Sequence, residues 1–122
     1  DCKKNRLIVL FGCGGDRDKT KRPIMGNIAV RYADYVIVTS DNPRSENPTE
    51  IIKDILVGTD GVNTPVKVIE NRIEAIKYAV SIAKTDDTIV LAGKGHETYQ
   101  ILADKTIHLD EREVVDEALK AL

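Results

Sequence analysis

The sequence has few cysteines and no long apolar run, and each shortage excludes a class of protein. Its 122 residues include only two cysteines, Cys2 and Cys13, which is too few for a disulfide framework. No apolar stretch reaches the roughly 20 residues that a membrane-spanning helix needs, and no signal peptide opens the chain. We therefore expect a cytoplasmic protein.

An excess of basic residues is also missing. The formal net charge is −2, so the sequence offers no basic stripe for a nucleic acid partner. Hydrophobic residues make up 42% and charged residues 31%, which is typical of a globular protein. The length suits a single domain over residues 1–122, large enough to bury a core.

Apolar, β-branched runs alternate with stretches of helical periodicity. The runs predict parallel strands near residues 7–11, 35–39, 66–69 and 88–92. This alternation indicates βαβ units with helices on both faces of the sheet, a three-layer, Rossmann-like α/β fold. Residues 98–102 and 106–109 predict an antiparallel edge hairpin or strand, and a last helix starts near Asp110.

Capping signals mark where the predicted helices begin and end. Asn47, Pro48 and Glu50 form an N-cap signature, Gly58 ends that helix, and Asn71 caps the next one. Pro23 suits the first turn of an earlier helix, which should be amphipathic. Its apolar residues at helical spacing are Ile24, Met25, Ile28, Ala29, Tyr32 and Ala33. The last helix should bury Val114, Val115, Ala118 and Leu119.

Polar loops follow the first, second and fourth predicted strands, at residues 12–22, 41–44 and 93–97. Right-handed crossovers place these loops on one edge of the sheet, where ligands of open α/β folds bind. In the second loop, Arg44 offers a planar fork for a carboxylate or phosphate, and Pro43 stiffens the backbone. The alternative is a polar turn that only leads into the next helix.

The two glycine-containing loops do not match the common nucleotide motifs. The first loop fails the dinucleotide pattern, because the third glycine of that pattern would fall at Arg17. The loop could therefore be either a tight turn or an anion-binding site. The loop at 93–97 lacks the Walker spacing, although Glu97 could accept hydrogen bonds from an ammonium group. The histidines and cysteines lack metal-ligand spacing, so we predict no metal site.

Three motifs in this order resemble a known family. Residues 11–23 read Phe-Gly-Cys-Gly-Gly-Asp-Arg-Asp-Lys-Thr-Lys-Arg-Pro, residues 41–44 read Asp-Asn-Pro-Arg, and residues 92–97 read Ala-Gly-Lys-Gly-His-Glu. Together they resemble the C-terminal domain of the Mur ligases. The second motif is similar to that of the branch that adds meso-diaminopimelate to UDP-N-acetylmuramoyl-L-alanyl-D-glutamate. The resemblance runs from about Leu7 to the end.

The resemblance implies a fragment of an ATP-dependent, amide-forming ligase of peptidoglycan synthesis that works through an acyl phosphate. ATP, magnesium and the UDP-N-acetylmuramoyl dipeptide would bind through domains absent from this sequence. No catalytic residue and no cofactor are therefore expected within the fragment, which should be inactive alone.

The resemblance also implies the binding residues. Contacts with meso-diaminopimelate would come from Arg17, Asp41, Asn42, Pro43, Arg44, Gly93 and Glu97. Arg17, Asn42 and Arg44 suit its carboxylates, whereas Glu97 and the Gly93 carbonyl suit its distal ammonium. Asp16 and Lys19 are weaker candidates for nucleotide contacts.

The family's C-terminal domain usually opens with a strand, a loop and a helix that this sequence lacks. We therefore expect an unpaired sheet edge or an apolar patch, and self-association through it. Two other functions stay open: a freestanding α/β module that binds a nucleotide or anion, and another ligase of the superfamily, such as a polyglutamate-adding one.

Overall fold

A four-stranded parallel sheet forms the centre of the computed structural model, which describes residues 6–16, 18–92, 99–101 and 106–120. The strands are β1 (Leu7–Phe11), β2 (Tyr35–Val38), β3 (Val66–Val68) and β4 (Thr88–Leu91), in the spatial order β3-β2-β1-β4. In this register Val9 of β1 pairs with Val36 of β2 and with Val90 of β4. The predicted parallel sheet is confirmed.

Helices connect the strands and follow them: α1 (Lys21–Tyr32), α2 (Pro48–Val57), α3 (Arg72–Ile82) and α4 (Glu111–Lys120). The predicted caps are present. The Asn47 side chain accepts a hydrogen bond from the Thr49 amide at 2.8 Å, and the Asn71 side chain accepts one from the Glu74 amide at 3.0 Å. Short polar segments therefore satisfy backbone amides at these helix starts through local hydrogen bonds.

The helices lie on both faces of the sheet, as the right-handed crossover rule requires. From β1 to β3 the chain moves one way across the sheet, which places α1 and α2 on one face. It then returns past β1 to β4, which places α3 on the opposite face, beside α4. Each face has its own apolar cluster, one around Val38 and Ile55, the other around Ile37 and Ile76.

A second, two-stranded sheet confirms the predicted antiparallel pair. Its strands are β5 (Tyr99–Ile101) and β6 (Thr106–His108). Gln100 is buried, and its side-chain amide donates to the backbone carbonyl of Asp41 at 2.6 Å. This bond fastens the small sheet to the loop that follows β2.

Most of the apolar stripe of α1 faces away from the core, although Ala33 is buried and Ala29 packs against the cluster around Val38 and Ile55. Ile24, Ile28 and Tyr32 are 58%, 52% and 77% exposed, whereas Arg22, Gly26 and Val30 are buried. Leu119 of α4 is also exposed, contrary to the sequence expectation. Helical periodicity identifies an apolar side but does not say which side the rest of the described chain covers.

An apolar groove of about 250 Å³ runs along this exposed side of α1, beside β1. Its lining residues are Val9, Phe11, Met25, Ile28, Ala29, Tyr32, Ala33 and Ala92. Among the described residues, no helix is long and apolar enough to cross a membrane.

Candidate functional site

The loops after β1 and β2 meet at the carboxyl edge of the sheet, as the sequence predicts. The Gly15 amide donates to the Asn42 carbonyl at 2.7 Å. In return, Nη1 of Arg44 donates to the Gly15 carbonyl at 3.1 Å and to the Asn42 carbonyl at 3.3 Å. These three bonds hold the two loops together as one surface.

Glycine is needed in the first loop because backbone passes against backbone there. A Cβ on Gly12 would lie 2.9 Å from the Asp41 amide nitrogen, and one on Gly15 would overlap the Pro43 carbonyl. Such approaches leave no room for a side chain. Close packing of the two loops therefore explains both glycines in the structure, whereas the sequence left a turn and an anion site open.

Two residues that face each other across these loops have left-handed backbone. Asp16 has φ of 56° and Arg44 has φ of 53°. Residues other than glycine rarely adopt this conformation, which costs roughly 1–2 kcal/mol per residue. Backbone outliers of this kind cluster at functional sites, where the surrounding contacts hold them in place. A third such residue, Asp86 with φ of 76°, lies in the turn before β4, so the outliers by themselves do not assign a role to this edge.

Arg44 is half-buried, and its guanidinium donates hydrogen bonds to backbone carbonyls. In the part of the chain that the structure describes, it forms no ion pair with a carboxylate. A guanidinium that is held in place without a carboxylate is suited to bind an acidic ligand. The role that the sequence assigns to Arg44 stays a prediction.

Glu46 joins the two loops through a buried arginine on α1. Its carboxylate accepts from Nη2 of Arg22 at 2.9 Å and from the Asp16 amide at 2.7 Å. The Arg22 guanidinium is the main reason that the pKa of Glu46 falls to about 2. The Ser45 hydroxyl adds a bond to the Asp16 carboxylate at 2.6 Å.

A second buried arginine, Arg72 at the start of α3, joins three further elements. It donates to the Glu111 carboxylate at 2.5 Å, to the Ser40 carbonyl at 3.3 Å and to the Ala92 carbonyl at 3.1 Å. It thereby fastens α4 to the ends of β2 and β4. Sequence reasoning missed Arg22 and Arg72. The available signal was a cation in the first turn of a helix, where the helix dipole is unfavourable and a carboxylate partner is needed.

The structure brings together the predicted residues of the second loop. Asn42 is 3% exposed, Pro43 is buried, and Asp41 is half-buried beside them. The Asp16 carboxylate accepts from the Ser45 hydroxyl. The Lys19 side chain is exposed, and its amine lies 3.8 Å from the Glu46 carboxylate. These placements are compatible with the predicted contacts, which stay predictions.

Three of the predicted residues, Arg17, Gly93 and Glu97, lie outside the described residues, so their roles also stay predictions. Described residues on either side of residues 93–98, Ala92 and Gln100, are linked to the loop after β2. The Ala92 carbonyl shares Arg72 with the Ser40 carbonyl, and Gln100 binds the Asp41 carbonyl. The third motif therefore begins at a residue linked to this edge of the sheet, and a described residue shortly after the motif is linked to the same edge.

An open cleft of about 390 Å³ lies next to this surface, lined by Gly12, Cys13, Gly14, Asp18, Lys21, Arg22, Met25 and Asp41. Cys13 is buried with its Sγ 3.6 Å from the Met25 sulfur, and burial raises the pKa of the thiol. A thiol in such surroundings is a packing residue rather than a nucleophile.

Within the described ranges, no three His, Cys, Asp or Glu side chains group as metal ligands.

Comparison with known proteins finds similar sequences in longer chains. The sequence matches the family described as "Mur ligase, glutamate ligase domain" over residues 1–95. The UDP-N-acetylmuramoyl-L-alanyl-D-glutamate--2,6-diaminopimelate ligase 1 of Clostridium acetobutylicum is 65% identical over 119 residues, which are 98% of this chain and 24% of the relative. The corresponding ligase of Caldanaerobacter subterraneus subsp. tengcongensis is 63% identical over 114 residues, which are 93% of this chain and 24% of the relative.

A solved structure agrees with these relatives. It is titled "Structure of UDP-N-acetylmuramoyl-L-alanyl-D-glutamate--2, 6-diaminopimelate ligase" and matches with a TM-score of 0.91 at 43% identity. The match covers 97% of this chain and 24% of that one, so the present chain spans about a quarter of the length of its relatives. Because the family match extends over most of the sequence, and the fold agrees, the chain belongs to the Mur ligase, glutamate ligase domain family.

Proposed function

We propose that this chain is the amino-acid-binding domain of a cytoplasmic, ATP-dependent ligase that adds meso-diaminopimelate to UDP-N-acetylmuramoyl-L-alanyl-D-glutamate in peptidoglycan synthesis. The observation that carries this proposal is the position of Arg44, held at the carboxyl edge of the sheet by two backbone carbonyls. The names of the related ligases support the reaction.

The chemistry of the amino acid explains why the site needs both signs of charge. Meso-diaminopimelate has an ammonium and a carboxylate at its distal end, whereas lysine has only the ammonium. Arg44 and the Asn42 amide would bind carboxylate oxygens, with Arg17 as a third donor. Glu97 and the Gly93 carbonyl would accept from the ammonium, and Asp41 and Pro43 would shape the loop.

Discrimination against lysine follows from the same contact. With lysine bound, the Arg44 guanidinium would be covered by ligand yet have no anion to pair with. Leaving one partner of a desolvated charge pair alone costs about 2–5 kcal/mol. The site would therefore select its substrate by penalising the wrong one as well as by binding the right one.

In the whole ligase, ATP with magnesium would supply the phosphoryl group that activates the D-glutamate carboxylate as an acyl phosphate. The part of this domain would be to hold the amine of meso-diaminopimelate ready to attack, which raises its effective concentration at the reacting carbon. Asp16 and Lys19 lie on the exposed side of the first loop and are the proposed nucleotide contacts. The magnesium ligands would come from the remaining three-quarters of the protein.

The test uses the full-length protein that carries this domain. ADP release is measured with meso-diaminopimelate and with L-lysine for the wild type and for Arg44→Ala and Arg44→Lys. We expect the preference for meso-diaminopimelate in kcat/KM to fall on the order of tens- to thousands-fold in both variants. Arg31→Ala removes an exposed arginine of α1 and should change nothing. A strong preference in Arg44→Ala would show that the assigned role is wrong.

The glycine loop and Lys21 border the open cleft, which keeps a freestanding anion-binding module as a second candidate. Titration of the 122-residue chain with ATP separates the two functions. A freestanding module should bind ATP by itself, whereas a ligase domain should need the rest of its protein. The length of the relatives favours the ligase.

We also propose where the rest of the domain packs. β4 is the outer strand of the described four-stranded sheet, and the face that it shares with α1 is open, with Val90 41% exposed. A right-handed crossover from a strand beyond β4 into β1 moves across the sheet in the same direction as β1 to β2. Its helix would therefore lie on the α1 face, over the groove beside Met25 and Ile28.

A further inference from the structure

Arg22 is almost completely buried although it lies in the first turn of α1. Its side chain is 2% exposed. It donates to both Glu46 oxygens at 2.9 and 3.1 Å, to the Asp54 carboxylate at 2.9 Å and to the Gly14 carbonyl at 3.1 Å. One side chain thus contacts the loop after β1, the loop after β2 and helix α2.

This position is unfavourable for a cation unless its partners are in place. The helix dipole disfavours positive charge in a first turn, and burial removes water from the guanidinium. The two carboxylates offset both costs, and the Glu46 pair is bidentate, which fixes its geometry as well as its energy. Moving Glu46 away would leave the charge of Arg22 with only Asp54 as a carboxylate partner.

Glu46 in turn fixes the residues of the candidate site. It accepts from the Asp16 amide at 2.7 Å, and the neighbouring Ser45 hydroxyl donates to the Asp16 carboxylate at 2.6 Å. Glu46 lies two residues after Arg44, and Gly14 lies beside Gly15, which accepts from Arg44 at 3.1 Å. The Arg22 guanidinium therefore helps to set the separation of the two loops, together with the direct bonds between Gly15, Asn42 and Arg44.

We propose that Arg22 and Glu46 are positioning residues that set the spacing between the two loops, and with it the placement of the Asn42 and Arg44 groups that bind carboxylates of the diamino diacid. This inference rests on the proposed function. Arg22 is too buried to contact a substrate, so it acts through Gly14 and Glu46. A loosened pair should weaken binding of the amino acid while leaving the chemistry of the bound complex largely intact.

The test compares two carboxylate substitutions in the full-length protein. Glu46→Gln removes the charge that Arg22 holds and keeps the shape of the side chain. Asp87→Asn is the matched control, because Asp87 pairs with Arg6 at 2.7 Å just before β4, at the opposite end of the strands. Both carboxylates have a pKa lowered to about 2 by their arginine.

We expect Glu46→Gln to raise the KM for meso-diaminopimelate roughly 10- to 100-fold, because small misplacements of binding groups are costly. Its kcat should stay within about twofold, as expected when binding common to the ground and transition states is lost. The KM for ATP should not change. Asp87→Asn should lower the melting temperature comparably and leave every KM at the wild-type value. Glu46→Asp, which keeps the charge, should fall between wild type and Glu46→Gln.

A Glu46→Gln enzyme with the KM of Asp87→Asn would overturn the proposal and leave a purely structural ion pair. If Glu46→Gln does not fold, Glu46→Asp decides instead, because it keeps the charge and shortens the side chain that pairs with Arg22. An unchanged KM in Glu46→Asp would then overturn the proposal. If the wild type prefers another amino acid, the proposed function fails, and the same comparison with that amino acid still decides the role of Glu46.

Discussion

The backbone of Gly15 lies directly against the backbone of Pro43, so that a Cβ on Gly15 would overlap the Pro43 carbonyl oxygen. Gly15→Ala should therefore push apart the two loops that carry the candidate site. We expect a lower melting temperature for the 122-residue chain and a KM for meso-diaminopimelate raised at least tenfold in the full-length protein.

Gly61→Ala is the control for this prediction. Gly61 has φ of 81° with open space around its α carbon, so alanine there adds backbone strain without a clash. It should cost about 1–2 kcal/mol of stability and leave the KM unchanged. Equal effects of the two substitutions on the KM would mean that loop contact is irrelevant to binding.

The left-handed backbone of Arg44 predicts an unusual order of stability. Arg44→Ala keeps the strained conformation, whereas Arg44→Gly adopts φ of 53° without cost. We expect the glycine variant to be more stable than the alanine variant by about 1 kcal/mol in urea unfolding, although both lose the guanidinium. A more stable alanine variant would show that this backbone is not left-handed in solution.

Stability should fall steeply in acid because of two carboxylates. Arginines lower the pKa of Glu46 and of Asp87 to about 2 in the folded chain, against roughly 4.3 and 3.9 for unfolded Glu and Asp. As the pH falls below the pKa values of the unfolded chain, the unfolded state binds more protons than the folded state. The stabilisation from these two carboxylates is therefore complete above about pH 5 and is lost towards pH 2.

Glu46→Gln and Asp87→Asn should each flatten the dependence of the melting temperature on pH over that range. The double variant should flatten it by the sum of the two effects, because the pairs share no partner. A wild-type slope in Glu46→Gln would argue that its ion pair with Arg22 does not form in solution.

The open side of α1 predicts different behaviour in short and long chains. A cysteine at Ile28, which is 52% exposed here, should react quickly with a thiol reagent in the 122-residue chain and slowly in the full-length protein. Val57→Cys, at an exposed position of α2, should react quickly in both. Equal reactivity of Ile28→Cys in the two chains would contradict the proposed position of the missing helix.

The short chain should also self-associate through this face. Ile28→Glu should lower the mass measured by light scattering at high concentration without lowering the melting temperature, whereas Val57→Glu should not alter the mass. A short chain that is monomeric at all concentrations would contradict this part of the prediction.

Local signals predicted the elements well, because the residues that define them are close in the sequence. The Asn47 and Asn71 caps act within three residues, and apolar runs such as Leu7–Phe11 are sufficient to predict strands. The order of loops along the sheet edge followed from crossover handedness. The meeting of Asn42 with Gly15 was therefore predictable in outline, although its hydrogen bonds were not.

The buried arginines could not be predicted in the same way. Arg22 forms ion pairs with Glu46 and Asp54, and Arg72 forms one with Glu111, which is 39 residues away. Pairing at such separations depends on how the helices pack, which the local sequence does not specify. The apolar residues of α1 gave the opposite error: they recur at helical spacing, but the described residues leave most of them exposed.

From the sequence alone we could predict the alternation of strands and helices, the helix caps, the family and the polar residues of the three loops. Each of these depends on neighbouring residues or on the order of the motifs. Only the tertiary structure decided that Arg44 adopts a left-handed backbone against Gly15 and that one buried guanidinium ties the two loops together. The physical reason is that burial and ion pairing depend on distances through space, which are fixed only when the sheet and its helices have packed.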